Sequence, residues 1–191
     1  MLNIACAEVG KDLGLPTHGY LVATDSKLVD AQAGAESSRS AMLGALAGIN
    51  MISGAGMLGS LDCHSPEKLV MDAEWITAAQ RLVRGVEVLG ATLATGMFSQ
   101  IGLSGEFLKL KETRALFREE QRIPSAVIDR SGRGSGPVSD CFARARVRVD
   151  ELVSRYEAPS LSREIVQEFD AILERESESR GVALSRQTLP S

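Results

Sequence analysis

A polar segment between two apolar runs carries the residues of this chain that are best suited to chemistry. The segment extends from Thr24 to Glu36 and contains two Asp, one Lys, one Gln and one Glu. A strand-like run at 20–23 precedes it, and a run of small apolar residues at 41–48 follows. This arrangement is typical of a βα loop at a ligand site, although a solvated loop would have the same composition.

Two shorter motifs near residue 60 each have two interpretations. Gly54, Gly56 and Gly59 match the G-x-G-x-x-G pattern of dinucleotide-binding turns. That turn requires a helix to begin among the glycines, whereas residues 60–66 delay it, so the pattern favours a tight turn after a strand. The adjacent Cys63 and His64 are potential metal ligands, but no third ligand is close in sequence, and we predict no metal site.

Composition excludes several classes of function. The 191 residues are 44% hydrophobic with a net charge of −4, which indicates a folded protein and argues against a nucleic-acid partner. No apolar run reaches the roughly 18 residues of a membrane span, and the first residues lack the pattern of a signal peptide. The three cysteines are far apart, so we predict reduced thiols and a cytoplasmic protein.

Periodicity places these motifs on a βαβ unit. Apolar residues at helical spacing predict an opening helix that ends at Gly14. A strand at 20–23, a helix at 36–48 and a strand at 49–53 imply a parallel sheet. Ser65 followed by Pro66 predicts the cap and first turn of a helix that ends at Gly85.

The remainder of the chain is predicted to be mainly helical. The predicted features are helices at 87–98 and 111–121, a possible third strand near Ile101, a loop at 131–137, and a pair of helices over 142–156 and 165–172 separated by Pro159. The tail from Glu176 is predicted to be disordered because it has little apolar content. Two or three parallel strands do not make a stable domain, so we expect the chain to be the C-terminal part of a larger fold.

A series of short motifs carries a family resemblance. They are, in order, residues 14–16, 24–27, 30–34 with Glu36, 54–57, 67–74, 81–85, 107–108, Thr113, 117–120 and 129–130. Together they resemble the trimethylamine methyltransferase family, and the similarity extends to about Pro159.

The resemblance implies an α/β fold, the C-terminal portion of a TIM (β/α)8 barrel followed by C-terminal helices. The barrel is incomplete in this chain, since a full one needs about 250 residues. On this basis residues 1–130 supply the last strands and helices of the barrel domain, 138–175 form the helical pair, and 176–191 form the tail.

The family activity implied is transfer of a methyl group from trimethylamine or a betaine, such as glycine betaine, to the Co(I) of a corrinoid. A separate cognate protein would hold the corrinoid, and this chain would bind no metal directly.

A cationic amine favours carboxylates or aromatic faces as its binding groups. Because aromatic residues make up only 4% of the chain, the predicted substrate-binding residues are Asp25, Asp30, Gln32 and Glu36. The predicted corrinoid-facing loop contains Ser53, Gly54, Gly56 and Met57, and no catalytic residue is assigned.

Two departures from the family pattern bear on the substrate. Trimethylamine-specific members carry pyrrolysine, whereas this sequence has only standard residues, which favours the betaine branch unless an amber codon lies upstream of this piece. Residues 105–113 also lack the histidines that relatives commonly carry there.

The expected protein partners are further copies of this chain in a homo-oligomer, or a missing N-terminal half. The alternative is a fragment without catalysis that acts as an assembly or interaction module.

Overall fold

The computed structural model describes residues 1–86, 88, 93–132, 138–158 and 160–182. Its helices are α1 (Leu2–Asp12), α2 (Ala31–Leu46), α3 (Pro66–Arg84), α4 (Thr95–Ile101), α5 (Lys111–Glu120), α6 (Cys141–Ser154) and α7 (Arg163–Arg180), with short 3₁₀ turns at Gly102–Ser104 and Phe107–Lys109. Its strands are β1 (His18–Tyr20), β2 (Met51–Ser53), β3 (Met57–Leu58) and β4 (Cys63–His64). Residues 1–154 form one compact unit, and a second begins at Arg155. In the described residues, no helix is long and apolar enough to cross a bilayer.

The predicted βαβ unit is confirmed. Strands β1 and β2 pair in parallel with His18 opposite Met51 and Tyr20 opposite Ser53, and α2 connects them. Strand β1 spans His18–Tyr20, whereas the sequence predicted a strand at 20–23, so it begins and ends earlier than predicted. Helix α2 also begins earlier, at Ala31, because the carboxylate of Asp30 accepts a hydrogen bond from the Ala33 N–H and caps the first turn.

Helices α2 and α3 cover one face of the parallel sheet. Val22 packs with Ala41 of α2 and Ala79 of α3 in a buried apolar cluster. Gly44 allows the close approach of α2, because a Cβ there would lie 2.6 Å from Leu21 Cδ1 and 2.8 Å from Ile52 Cδ1. Side chains alternate along a strand, so His18 and Tyr20 lie on the face of the sheet away from α2 and α3. Their partners on β2, Met51 and Ser53, lie on the same face. That face is open, and Tyr20 is 58% exposed.

A hairpin fills the stretch that the sequence assigned to a loop. Strands β3 and β4 pair antiparallel, and the turn between them contains Ser60 and Leu61 with positive φ angles of 57° and 81°. Such two-residue strands are too short for a recognisable alternation of side chains. The delay in the next helix is confirmed, since α3 begins at Pro66 with Ser65 Oγ accepting a hydrogen bond from Lys68 N.

A second apolar cluster joins α3 to α6. It contains Met71 from α3, Val127 from the preceding loop and Ala145 from α6, all of them buried. The predicted helix at 111–121 is confirmed as α5. Both helices of the predicted C-terminal pair are present, with α6 in the first compact unit and α7 in the second.

Two predictions for the C-terminal half are wrong. Ile101 is not in a strand but ends α4, where Gly102 follows with a φ of 58°. The tail is not disordered from Glu176, because α7 continues to Arg180. An ion pair at i,i+4 spacing between Arg180 and Glu176, 3.6 Å long, supports this last turn, and Gly181 ends it in the left-handed region. The predictions for residues 87, 89–92, 133–137, Pro159 and 183–191 lie outside the described residues.

Candidate functional site

The two loops that the sequence selected lie side by side. Backbone hydrogen bonds join the β1–α2 loop to the β3–β4 hairpin, from Thr24 N to Met57 O (3.3 Å), from Gly59 N to Ser26 O (2.9 Å) and from Ser60 N to Thr24 O (3.0 Å). The loops therefore form one continuous surface beyond the carboxyl ends of β1 and β2. Ligand sites of parallel α/β folds occur at this end of the sheet.

An open cavity of about 390 Å³ lies at this surface. The polar groups that line it are those of Tyr20, Thr24, Asp25, Glu36, Arg39, Ser40 and Ser60. Of the four predicted substrate-binding residues, the structure brings Asp25 and Glu36 together here. The lining contains two carboxylates and one guanidinium, so the cavity carries a formal excess of one negative charge.

Both carboxylate oxygens of Glu36 accept hydrogen bonds, one from the β1–α2 loop and one from the first turn of α2. Glu36 Oε2 accepts hydrogen bonds from Thr24 Oγ1 (2.5 Å) and from the Asp25 N–H (3.0 Å), and Glu36 Oε1 accepts one from Gln32 Nε2 (3.0 Å). The Thr24 hydroxyl, followed by the Gln32 amide and the Asp25 N–H, holds the pKa of Glu36 below its usual value. Glu36 is therefore charged at neutral pH, and its hydrogen bonds fix the loop.

Asp25 presents a carboxylate to the cavity that is only partly engaged. Ser60 Oγ donates a hydrogen bond of 2.5 Å to Asp25 Oδ1. Within the part of the chain that the structure describes, no other donor reaches this exposed side chain. Asp25 is therefore the group best placed to contact a cation in the cavity.

The other two predicted substrate-binding residues have positions that the local structure explains. Asp30 Oδ1 accepts hydrogen bonds from the Ala33 N–H (3.0 Å) and from Ser26 Oγ (3.1 Å), and the Ala33 N–H is the main cause of its lowered pKa. Asp30 thus caps α2, outside the lining of the cavity. Gln32 orients Glu36 and likewise does not line the cavity.

The glycines of the predicted corrinoid-facing loop are required by contacts inside this chain. Gly54 has a φ of 103°, and a Cβ there would lie 3.1 Å from the backbone N of Ala23. Gly56 has a φ of 81°, and a Cβ there would overlap the ring of His64. Met57 begins β3, and Ser53 Oγ lies 2.8 Å from His18 Nε2. The loop is therefore a tight turn beside the cavity, as the sequence predicted.

Sequence reasoning missed a buried ion pair that ties both loops to α3. Lys68 Nζ donates to Asp72 Oδ2 (2.5 Å), to Ser37 Oγ (2.9 Å) and to Val22 O (3.0 Å), so each of its three protons has an acceptor. Asp72 Oδ2 also accepts from the N–H of Gly56 at 2.8 Å. Lys68 and Asp72 are each only 1% exposed. Their i,i+4 spacing on a helix with a buried face was the available signal.

Sequence reasoning also missed an aromatic side chain in the cavity. Tyr20 lines it together with Asp25. The ring of Tyr20 makes an edge contact with the ring of His18, with centroids 5.3 Å apart and an angle of 70° between the planes. The low aromatic content suggested a site made of carboxylates and amides alone. A count over the whole chain did not show that Tyr20 ends a strand directly before the loop.

Metal binding was also weighed from the sequence. In the part of the chain that the structure describes, no group of three or more His, Cys, Asp or Glu side chains is arranged to hold a metal ion. Cys63 and His64 form β4, where they pair with β3.

Comparison with known proteins relates this chain to one family. The model of the family described as "Trimethylamine methyltransferase (MTTB)" matches residues 1–181. A trimethylamine methyltransferase of Methanosarcina mazei is 32% identical over 180 residues, which cover 92% of this chain and 36% of the relative. One of Desulfitobacterium hafniense strain DSM 10664 is 30% identical over 188 residues, covering 97% of this chain and 38% of the relative. A glycine betaine methyltransferase of D. hafniense strain Y51 is 29% identical over 180 residues, covering 93% and 37%. The chain thus spans little more than a third of the length of these relatives.

Proposed function

Because this chain belongs to the trimethylamine methyltransferase family, we propose that it supplies the amine-binding part of an enzyme that removes a methyl group from a tertiary or quaternary amine. The relatives are named methyltransferases, which supports methyl transfer as the reaction. Their names also give the two classes of donor, trimethylamine and glycine betaine. The given residues contain no pyrrolysine, which favours a betaine as the donor unless an amber codon lies upstream of them. The acceptor in this proposal is Co(I) of a corrinoid carried by a separate cytoplasmic protein.

The observation that carries the proposal is the negatively charged cavity around Asp25. A methylated ammonium group is a cation, and the partly engaged carboxylate of Asp25 faces the space where it would bind. In the reaction the C–N bond breaks, its electron pair remains on nitrogen, and the methyl group bonds to the acceptor through the electron pair of the acceptor. The nitrogen loses its positive charge as this happens.

This change in charge defines the role of Asp25. A carboxylate attracts the substrate more strongly than the transition state, in which the positive charge on nitrogen is already falling. Asp25 therefore positions the amine and does not lower the barrier of the chemical step. The orientation of the donor methyl group toward the acceptor is the main contribution that such a site makes to an in-line displacement.

The turn at 53–57 supports an approach of the acceptor from the side of the hairpin. It is joined to the cavity through the hydrogen bonds from Thr24 N to Met57 O and from Ser60 Oγ to Asp25 Oδ1. Gly54 and Gly56 shape this turn, because a Cβ at either position would crowd Ala23 or the ring of His64. We propose that Ser53, Gly54, Gly56 and Met57 face the corrinoid protein, and that the chain itself provides no ligand to the cobalt.

The described residues leave one face of the parallel sheet uncovered. Parallel sheets in proteins are normally covered on both faces, whereas the face of β1 and β2 that carries Tyr20 and Met51 is open. We propose that the remaining strands of a TIM barrel cover it, supplied by an N-terminal half or by a homo-oligomer. The same open face favours the second candidate function, a non-catalytic module that assembles with another polypeptide.

Methyl transfer distinguishes the two functions. The chain is co-produced with the part of the D. hafniense glycine betaine methyltransferase that it does not match, and is also purified alone. Each preparation is given trimethylamine or glycine betaine and reduced cobalamin, and the absorbance change of the cobalt is followed. The proposal expects methylated cobalamin from at least one donor. A folded, stable complex that produces none with either donor would favour the assembly module.

A further inference from the structure

Tyr20 occupies a position that the charge of the cavity does not explain. It is the last residue of β1, its side chain is 58% exposed, and it lines the cavity with Asp25. A large aromatic side chain on open surface loses apolar burial unless something covers it. An aromatic ring beside an accessible carboxylate is the combination that attracts an organic cation.

Neighbouring groups hold Tyr20 in place. The ring of His18 packs at 70° to it with centroids 5.3 Å apart. His18 Nε2 lies 2.8 Å from Ser53 Oγ, and Ser53 is the residue directly opposite Tyr20 in the parallel pair. The backbone carbonyl of Tyr20 accepts a hydrogen bond of 3.2 Å from Asn3 Nδ2. The contact with His18 favours one orientation of the ring before any ligand arrives, which lowers the entropy lost on binding.

The pairing of ring and carboxylate selects for methylated cations. A quaternary ammonium has no N–H to donate, and its charge is spread over apolar methyl groups that pack well on an aromatic face. A primary ammonium donates hydrogen bonds and is strongly hydrated, so it gains less from the ring and more from a carboxylate. Asp25 alone would bind both cations, and the ring adds the preference between them.

We propose that Tyr20 is the specificity-determining residue of the cavity, where its ring packs against the methyl groups of a quaternary or tertiary ammonium while Asp25 supplies the opposite charge. His18 and Ser53 are positioning residues that orient the ring. This inference rests on the cavity assigned under the proposed function, but it concerns binding and requires neither a corrinoid nor catalysis.

The test measures binding of tetramethylammonium chloride to the purified chain by ligand-observed NMR, with methylammonium chloride as the comparison cation. Tyr20→Leu is expected to weaken tetramethylammonium binding by roughly 2- to 30-fold, the range of a cation–π contact. Tyr20→Phe keeps the ring and is expected to stay within about twofold of the unmodified chain. Methylammonium binding is expected to change less in Tyr20→Leu than tetramethylammonium binding does.

The matched control is the second of the two tyrosines, Tyr156, which is 71% exposed and lies outside the first compact unit. Tyr156→Leu is expected to leave binding unchanged, and circular dichroism of each variant verifies folding. The inference is overturned if the unmodified chain binds no tetramethylammonium or if Tyr20→Leu binds it normally. Equal losses in Tyr20→Phe and Tyr20→Leu would assign the effect to the hydroxyl group and also overturn it.

The positioning residues require a different readout. Ser53→Ala removes the hydroxyl that holds His18, so we expect a reduced preference for tetramethylammonium over methylammonium, with Ser53→Thr restoring it. A parallel loss for both cations would indicate only local unfolding and would contradict the positioning role.

Binding through Tyr20 without methyl transfer would refute the proposed function alone. Methyl transfer with an unchanged KM in Tyr20→Leu would refute this inference alone.

Discussion

Lys68 is the residue whose loss we expect to destabilise the fold most. Lys68→Met leaves the carboxylate of Asp72 buried without its cation, which costs about 3–5 kcal/mol of unfolding free energy. Urea denaturation measures the change. Replacing both partners in Lys68→Met/Asp72→Leu is expected to recover part of the loss, because no unpaired charge then remains, although the buried Gly56 N–H loses its acceptor. Lys111→Met on the exposed surface of α5 is the control, and an equal loss there would contradict the assignment.

Glu36 is expected to make the stability of the first compact unit depend on acidic pH. Its pKa is lowered in the folded chain, chiefly by the Thr24 hydroxyl, from an ordinary value of 4.5. The stabilisation from its charge is therefore complete above about pH 4.5 and is lost as the pH falls through the lower, folded-state pKa. Glu36→Gln is expected to flatten this acidic limb in urea midpoints measured against pH. The exposed Glu112→Gln serves as the control, and the same flattening there would argue against a special role for Glu36.

Hydrogen bonds of individual residues explain why only two of the four predicted substrate-binding residues line the cavity. Sequence identified the polar loop correctly, but four oxygen-bearing side chains in one loop look equivalent until their hydrogen bonds are known. Asp25 and Glu36 line the cavity, whereas Asp30 and Gln32 bond to groups in the first turns of α2. The loop must satisfy its own backbone donors, and side chains near a helix start do this first.

At the scale of elements, substitutions of Asp30 test whether capping of α2 is independent of ligand binding in the cavity. Asp30→Ala removes the acceptor of the Ala33 N–H at the start of α2, and we expect a lower urea midpoint. Asp30→Asn keeps an acceptor and is expected to lie close to the unmodified chain. Binding of tetramethylammonium is expected to change in neither variant. Weaker binding in Asp30→Asn without a loss of stability would return Asp30 to the substrate-binding set.

Elements with strong local signals were predictable, and those without were not. Helix α3 begins where Ser65 and Pro66 predicted, because capping depends on neighbouring residues only. The β3–β4 hairpin escaped prediction because two-residue strands show no alternation. The apolar Ile101 suggested a strand, yet it ends a helix in which its apolar neighbours Met97 and Phe98 also lie.

At the scale of the whole molecule, the parallel βαβ unit followed from the order of its elements, and it places both loops at one end of the sheet. What covers the other face could not be derived from this chain, because the described residues leave that face exposed. Comparison supplies the context, since the chain spans about 36–38% of the length of the relatives it matches. We expect the open face of β1 and β2 to line the interior of the assembled enzyme.

The central claim is that the cavity at Asp25 holds the methyl donor for transfer. The most direct test compares KM and kcat for the preferred donor between the assembled enzyme and its Asp25→Asn variant, with Asp12→Asn at the exposed end of α1 as the control. The account predicts a KM raised by roughly 1.5- to 5-fold, since an exposed ion pair contributes about 0.2–1 kcal/mol, and a kcat that is not lowered. Unchanged KM in Asp25→Asn, or an equal rise in Asp12→Asn, would contradict it.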